Sequence, residues 1–123
     1  MPRSARLART MTQTDFDEFA RLSGDANPIH IDAAFAAKTP FAKPVAHGAY
    51  LCAILRGLVA DLVPGCRQVW QNVMFPNPAA VGETLIFTAT LSDKGDQARH
   101  LTLEARRHSD DALCVSGETE VTS

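Results

Sequence analysis

Apolar positions in the first part of the chain follow a helical period. Phe16, Phe19 and Leu22 are spaced by three residues, so they share one face of a helix. Thr14 can accept a hydrogen bond from the first-turn amides, and Gly24 can adopt the left-handed conformation that ends a helix. The pattern predicts a short amphipathic helix between Thr14 and Gly24.

A second helical segment, from His47 to Val63, is apolar on nearly every side and is followed by Pro64 and Gly65. A helix with so little polar surface is expected to be enclosed by other elements. Gly57 lies inside this segment. Because glycine weakens a helix, we expect it to mark close packing against a neighbouring backbone.

After Gly65 the apolar period changes to two residues, which predicts half-buried strands. These strands are expected near residues 67–75, 83–92, 98–108 and 112–121. Asp93–Asp96 and Ser109–Asp111 supply hairpin connections, so the strands are expected to form an antiparallel meander. Helices followed by strands indicate an α+β fold class, with an antiparallel sheet packed on the long helix.

Length and charge narrow the class of protein. The 123 residues suffice for a single domain over 1–123, and a hydrophobic content of 46% is ordinary for a globular fold. A net charge of −2 offers no basic field for nucleic acid, and the longest apolar stretch is too short to span a membrane. Arg3, Arg6 and Arg9 are not followed by the apolar region of a targeting peptide, so a short tail or a first strand is expected.

Cysteine usage points to a reducing compartment. Cys52, Cys66 and Cys114 are an odd number, lie far apart and form no C-x-x-C pair. The spacing signals neither a disulfide framework nor a zinc site. We therefore expect buried thiols in a cytoplasmic protein.

The segment D-A-N-P-I-H at residues 25–30 predicts a rigid loop directly after the first helix. Proline disfavours a helical conformation at the residue before it, and Asp and Asn side chains can bond the backbone of a turn. Asp32 can then cap a further helical turn before Pro40 and Pro44 force an extended connection.

Two motifs around this loop carry a resemblance to a known family. Residues 23–32 contain D-x-N-P-x-H, and residues 41–48 end in His-Gly. With Gly65 and the segments 75–78 and 81–83, they resemble the MaoC-like dehydratase and (R)-specific enoyl-CoA hydratase family over nearly the whole chain. The resemblance implies a hotdog fold, in which an antiparallel sheet wraps a central helix. It also implies an enoyl-CoA substrate, a role in fatty acid metabolism, and a homodimer with substrate tunnels between its subunits.

Hydration of an enoyl thioester needs a base for water, an acid for Cα and a donor for the carbonyl oxygen. Asp25 and His30 lie five positions apart across the turn and can direct both side chains at one water, so we predict that they share the acid and base duties. Gly48 is expected at the start of the long helix, where its N–H can donate a hydrogen bond to the thioester oxygen. This chemistry requires no metal or redox cofactor, and none is expected.

Further residues belong to the predicted site. For Asn27 two interpretations carry equal weight: the resemblance implies that it orients the water or the loop, whereas an asparagine before proline also simply makes a turn. His47 is interpreted as a packing and loop-orienting residue beside the oxyanion donor, and Phe41 joins it among the substrate-binding residues. His100 and His108 are expected to face solvent from a strand.

One position departs from the family pattern. Related hydratases often present a serine eight residues after the glycine of His-Gly, where this chain has Arg56. A guanidinium in an apolar helix needs an anionic partner or a route to solvent, and a salt bridge to Asp61 or Asp25 is expected. Arg56 is also a candidate substrate-binding residue that shortens the acyl tunnel. Arg56 also keeps open an alternative function, that of a non-catalytic acyl-CoA-binding subunit. The other alternative functions are a thioesterase and an acyl-carrier-protein dehydratase.

Overall fold

The computed structural model describes residues 3–92 and 98–122, so the predicted connection at Asp93–Asp96 lies outside the described residues. Strand β1 precedes four helices, and four further strands complete the chain. Their bounds are β1 Ser4–Thr10, α1 Gln13–Ser23, α2 Pro28–Ile31, α3 Ala33–Ala36, α4 Gly48–Leu62, β2 Arg67–Met74, β3 Thr84–Leu91, β4 Ala98–Arg107 and β5 Leu113–Thr122. The long helix and all four predicted strands lie within a residue or two of their expected positions, and the arginine-rich N-terminal segment is a strand.

The five strands form one antiparallel sheet in the order β1-β3-β4-β5-β2. Strands β3, β4 and β5 are the expected meander, but the prediction that β2 continues it next to β3 is wrong. The segment 75–83 between β2 and β3 crosses from one side of the sheet to the other, so β2 pairs with β5 and forms an edge. Strand β1 forms the opposite edge by pairing with β3.

Helix α4 packs one apolar face against the sheet. Leu51, Leu55, Leu58 and Val59 are buried on the helix, and they meet a sheet face that includes the fully buried Phe87. At about 25 cal/mol per Å² of apolar surface, this contact is the main stabilising layer of the fold. The sheet and its central helix therefore have the predicted α+β hotdog arrangement.

Two expectations about α4 are wrong. Gly57 is exposed, and a Cβ at this position would meet no atom within 4 Å, so it does not mark a close backbone contact. Ala49, Ala53 and Asp61 lie on the same exposed side, which means that the helix is not enclosed all round by its own chain. The residues on this side are small or charged, and the buried leucines on the other side supply the packing.

Helix α1 begins two residues earlier than predicted. Thr12, with extended backbone at φ −123° and ψ 150°, is the N-cap and accepts a hydrogen bond from the Asp15 N–H, so Thr14 is not the cap. Gly24 ends the helix at φ 82°, as predicted. Asp32 caps α3 through the Phe35 N–H, also as predicted.

The thiols and the helices add two further observations. Cys66 and Cys114 are buried and Cys52 is half-buried, and each of the three is a free thiol. In the described part of the chain, each helix is too short or too polar for a bilayer crossing.

Candidate functional site

The D-x-N-P-x-H segment forms a loop and a single helical turn that present His30 beside Asp25. The Asp25 N–H donates to Ser23 Oγ at 3.1 Å, and Asp25 Oδ1 accepts from the Asn27 N–H at 3.3 Å. Asn27 is the N-cap of α2, where its side-chain oxygen accepts from the Ile29 N–H. These local bonds explain why polar turn residues are required between the carboxylate and the histidine.

A backbone carbonyl determines which ring nitrogen of neutral His30 carries the proton. Its Nδ1 lies 2.8 Å from the carbonyl oxygen of Val45, and because a carbonyl only accepts, Nδ1 carries the proton in the neutral ring. The other nitrogen, Nε2, therefore holds a lone pair, and it lies 4.0 Å from Asp25 Oδ2. The histidine side chain is 14% exposed and that of Asp25 is 56% exposed, so the pair is open to solvent on the carboxylate side.

His47 lies directly under His30. The two imidazole rings stack with centroids 3.8 Å apart and planes at 23°, and the Phe19 ring packs against His47 at 4.9 Å. His47 Nε2 lies 2.9 Å from the backbone carbonyl oxygen of Asp25, to which it donates. Its Nδ1 is buried without a hydrogen-bond partner among the described residues. The structure thus brings Asp25, His30 and His47 into one cluster.

Gly48 is the first residue of α4, as predicted. The first N–H groups of a helix have no partner within the helix, so the amide at this position can serve an external acceptor. A Cβ on Gly48 would lie 2.8 Å from Cζ of Phe75, closer than carbon atoms normally approach. A side chain at this position would therefore displace the exposed Phe75 ring.

A mostly apolar cavity of about 440 Å³ adjoins Gly48 and Val45. Phe41 lines it, as expected of a substrate-binding residue, whereas His47 and Arg56 do not. Its remaining lining residues come from the loop before α4, from α4 itself, from β5 and from the crossing segment: Ala46, Leu51, Phe75, Pro76, Asn77, Pro78, Ala79 and Cys114. Val45 joins the cavity to the histidine pair, since its carbonyl holds His30.

Arg56 does not form the expected salt bridge. Within the described residues its guanidinium makes no ion pair with Asp25 or Asp61, and it donates instead to the Cys66 carbonyl oxygen at 2.9 Å. The turn that ends α4 brings this carbonyl within reach, which gives the cation a polar partner without a carboxylate. Asp25 is therefore not neutralised by Arg56 of its own chain.

Sequence reasoning missed three residues that support the site. Val45 fixes the His30 tautomer, Phe19 packs on His47, and Gln13 donates to the His30 carbonyl oxygen at 2.9 Å. The sequence pattern places Phe19 only on a helix face, and Gln13 lies outside the predicted helix. No local pattern indicates Val45, since its contribution is a backbone oxygen.

Asp25, His30 and His47 offer possible metal-ligating atoms that all lie within 4.8 Å of one another. A tetrahedral zinc ion with ligands at about 2.0–2.2 Å needs these atoms within about 3.5 Å of each other, shorter than the 4.0 Å between His30 Nε2 and Asp25 Oδ2. Stacked rings also direct their lone pairs along nearly parallel planes instead of toward one point. The geometry suits proton transfer better than metal binding.

A central helix wrapped by a sheet, with an Asp–His pair and an apolar cavity at the helix N-terminus, defines a hotdog protein with a candidate acid–base site. The family model of the MaoC-like domain matches residues 1–112 of this chain. The chain belongs to the MaoC-like domain family, which confirms the predicted family and fold.

Curated relatives and solved structures extend this assignment. The chain is 33% identical over 120 residues to an (R)-specific enoyl-CoA hydratase of Aeromonas caviae, covering 95% of this chain and 90% of that protein. It is 28% identical over 117 residues to a 3-hydroxybutyryl-CoA dehydratase of Methylorubrum extorquens, covering 94% and 74% of the two chains. An (R)-hydratase structure from A. caviae superposes with a TM-score of 0.90 at 31% identity over 98% of this chain and 94% of that chain. An unliganded R-hydratase from Pseudomonas aeruginosa superposes with a TM-score of 0.90 at 27% sequence identity, covering 100% of this chain and 81% of that chain.

Proposed function

We propose that this protein is an (R)-specific enoyl-CoA hydratase, which adds water reversibly to trans-2-enoyl thioesters to form 3-hydroxyacyl-CoA. The observation that carries the proposal is the 4.0 Å separation of His30 Nε2 and Asp25 Oδ2, two proton acceptors with no direct hydrogen bond between them. One water can lie within about 2.8 Å of both atoms and donate a hydrogen to each. The names of the relatives at 33% and 28% identity support the same chemistry.

In the proposed reaction, the oxygen of this water attacks Cβ while one member of the Asp25–His30 pair takes its proton. The electrons of the double bond move toward the thioester carbonyl, and the Gly48 N–H donates to the oxygen that becomes negative. The pair then gives one proton to Cα. It takes one proton and returns one, so it ends in the protonation state in which it began, and dehydration is the reverse sequence.

The cavity supports an acyl thioester as the substrate. Its walls are mostly apolar and include Phe41 and Phe75, and it meets the predicted oxyanion donor at Gly48. Asn27 caps α2 through its oxygen, and we propose that its amide nitrogen helps to orient the water. Arg56 lies on the far half of α4 and does not line the cavity, so we propose that it limits only acyl chains long enough to extend beyond the cavity.

A homodimer in the cytoplasm is part of the proposal. Strand β2 forms an edge of the sheet, and Val69, Trp70 and Met74 on it are exposed. Such an edge offers unpaired backbone groups to a further strand, and apolar side chains favour burial. The three free thiols are compatible with a reducing compartment.

A thioesterase acting through a cysteine nucleophile is disfavoured by the state of the cavity thiol. Cys114 lines the cavity, but burial raises the pKa of its thiol, which keeps it protonated and weakly nucleophilic near neutral pH.

The test is a comparison of two signals from one reaction. The protein is mixed with crotonyl-CoA, and loss of the conjugated enoyl-thioester absorbance is followed together with release of free thiol. We expect absorbance loss without thiol release and formation of the (R)-3-hydroxy product. Thiol release would indicate a thioesterase. Silence with crotonyl-CoA, longer enoyl-CoA and acyl-carrier-protein substrates would contradict an enzymatic function and favour a binding subunit.

A further inference from the structure

His47 is the most deeply buried member of the Asp25–His30–His47 cluster, at 2% exposure. It touches neither the cavity nor solvent, so it is not placed to exchange protons with a substrate. It nevertheless contacts both members of the proposed acid–base pair, one through a hydrogen bond and the other through its ring face.

We propose that His47 is the positioning residue of this site, a neutral Nε2–H imidazole that holds the Asp25 loop and the His30 ring in reacting geometry. This inference rests on the proposed hydratase function and deepens it. It assigns to one side chain the task of keeping the 4.0 Å gap between His30 Nε2 and Asp25 Oδ2 at its working width.

The first step of the argument concerns the loop. Asp25 is mostly exposed, and its carboxylate accepts only a local bond, from the Asn27 N–H, among the described residues. The His47 Nε2–H bond to the Asp25 carbonyl oxygen ties this loop to the start of α4 across 22 positions of sequence. Without that bond, only the Val45 hydrogen bonds to Ile29 and His30, which lie beyond the carboxylate, would tie this region to the segment before α4.

The second step concerns the His30 ring. The Val45 carbonyl fixes one edge of the imidazole, and the stacked His47 ring restrains its plane. Phe19 packs on His47 and so closes the stack. A ring held at one edge and on one face has little freedom to tilt Nε2 away from Asp25.

The third step is the unpaired nitrogen. His47 Nδ1 is a buried acceptor with no donor in the described part of the chain, which is unfavourable for folding. A phenylalanine would fill the same space without leaving a buried acceptor unpaired. The one polar contact that phenylalanine lacks is the Nε2–H bond to Asp25, so that bond is the feature that accounts for histidine at this position.

Long-range ¹H–¹⁵N spectra of the unliganded protein read histidine tautomers directly and test the geometry without substrate. We expect His30 in the Nδ1–H form and His47 in the Nε2–H form. A His47 that carries its proton on Nδ1 would overturn the proposal, since it could not donate to the Asp25 carbonyl.

Kinetics on two substitutions separate the bond from the ring. His47→Phe keeps an aromatic face and removes the donor, whereas His47→Gln keeps an N–H donor and removes the ring. We expect kcat to fall about 100-fold for His47→Phe and less for His47→Gln, with KM for crotonyl-CoA unchanged within about twofold, because His47 does not line the cavity. His108→Gln, at an exposed position, is the matched control and should retain full kcat.

A folded His47→Phe protein that keeps kcat within about threefold of wild type would overturn the proposal. If that variant does not fold, His47→Gln decides: a folded His47→Gln protein must lose part of kcat with KM retained. If neither folds, the tautomers of the wild-type protein decide. Wild-type protein that is inactive on every enoyl thioester would instead contradict the hydratase function, so the two failures are distinguishable.

Discussion

Residues 3–92 and 98–122 contain two histidine–carboxylate pairs that differ in their hydrogen bonding. His100 Nε2 lies 2.5 Å from Glu118 Oε1, and its Nδ1 lies 3.3 Å from Ser92 Oγ, so both ring nitrogens are occupied. His30 Nε2 lies 4.0 Å from Asp25 Oδ2, and among these residues only its Nδ1 forms a hydrogen bond. The His100–Glu118 pair is closed, because its two members bond to each other, and the Asp25–His30 pair is open, because both of its proton acceptors remain available.

The difference follows from the elements that carry each pair. His100 and Glu118 are on adjacent antiparallel strands, where side chains on one face come close enough to bond directly. Asp25 and His30 are on a loop and one helical turn, which the His47 and Val45 contacts hold apart. Proximity of a histidine and an acid is therefore a weak sign of function, and a gap that admits a reactant is a stronger one.

The largest expected effect comes from removing either member of the open pair. Asp25→Asn and His30→Ala should each lower kcat for hydration by about 10²–10⁴-fold, since one proton-transfer group is lost. The measurement is the rate of enoyl-thioester absorbance loss under saturating substrate.

Matched changes in the closed pair provide the control. His100→Gln and Glu118→Gln remove the same chemical groups from the face of the sheet opposite the buried core and should leave kcat within about twofold of wild type. A comparable loss in both sets would mean that the contrast between the pairs does not reflect catalysis.

The third group of the proposed site is the Gly48 N–H, a hydrogen-bond donor that has no counterpart beside the closed pair. A substitution at Gly48 tests its role. Gly48→Ala should lower kcat about tenfold, because its Cβ displaces the Phe75 ring that lines the cavity beside this amide. The free energy of unfolding should change little, because the Phe75 ring is exposed and alanine favours a helix over glycine. Both are measured on the same protein, by kinetics and by urea unfolding. An activity that is fully normal in Gly48→Ala would contradict a carbonyl oxygen bound at this amide.

An ion pair between Arg56 and Asp25 would occupy the carboxylate and make the open pair resemble the closed one. Because it bonds to the Cys66 carbonyl instead, Arg56→Ser should leave the rate on crotonyl-CoA nearly unchanged and raise the relative rate on longer enoyl chains by a few-fold. Chain-length profiles of the two proteins provide the measurement. An identical profile would show that Arg56 does not limit acyl length.

A third carboxylate, Asp15, serves stability and should produce the smallest effect. Its hydrogen bond with Arg9 lowers the pKa of the Asp15 carboxyl below its usual range. A lowered folded-state pKa contributes stability that is present above the unfolded pKa of about 3.9 and is lost as pH falls through the folded value. Asp15→Asn should therefore lower the free energy of unfolding by about 0.2–1 kcal/mol near neutral pH. The difference should close below about pH 4 in thermal unfolding, and a difference independent of pH would contradict the assignment.

The sequence by itself determined the elements and the local chemistry of this protein. Periods of three to four and of two residues located α4 and the four later strands, and the spacing in D-x-N-P-x-H and His-Gly indicated the family. These features were predictable because hydrophobic period, capping and turn formation depend on neighbours within a few residues.

Only the tertiary structure decided which groups meet. The β2 edge, the Val45 carbonyl on His30, the His47 bond to Asp25 and the Arg56 bond to Cys66 each join residues whose partners no local pattern specifies. The three hydrogen bonds among them use backbone oxygens, which every residue has, and so leave no signature in the choice of the accepting residue. Their selection depends on how the loops pack around the N-terminus of α4, and that packing is a property of the whole fold.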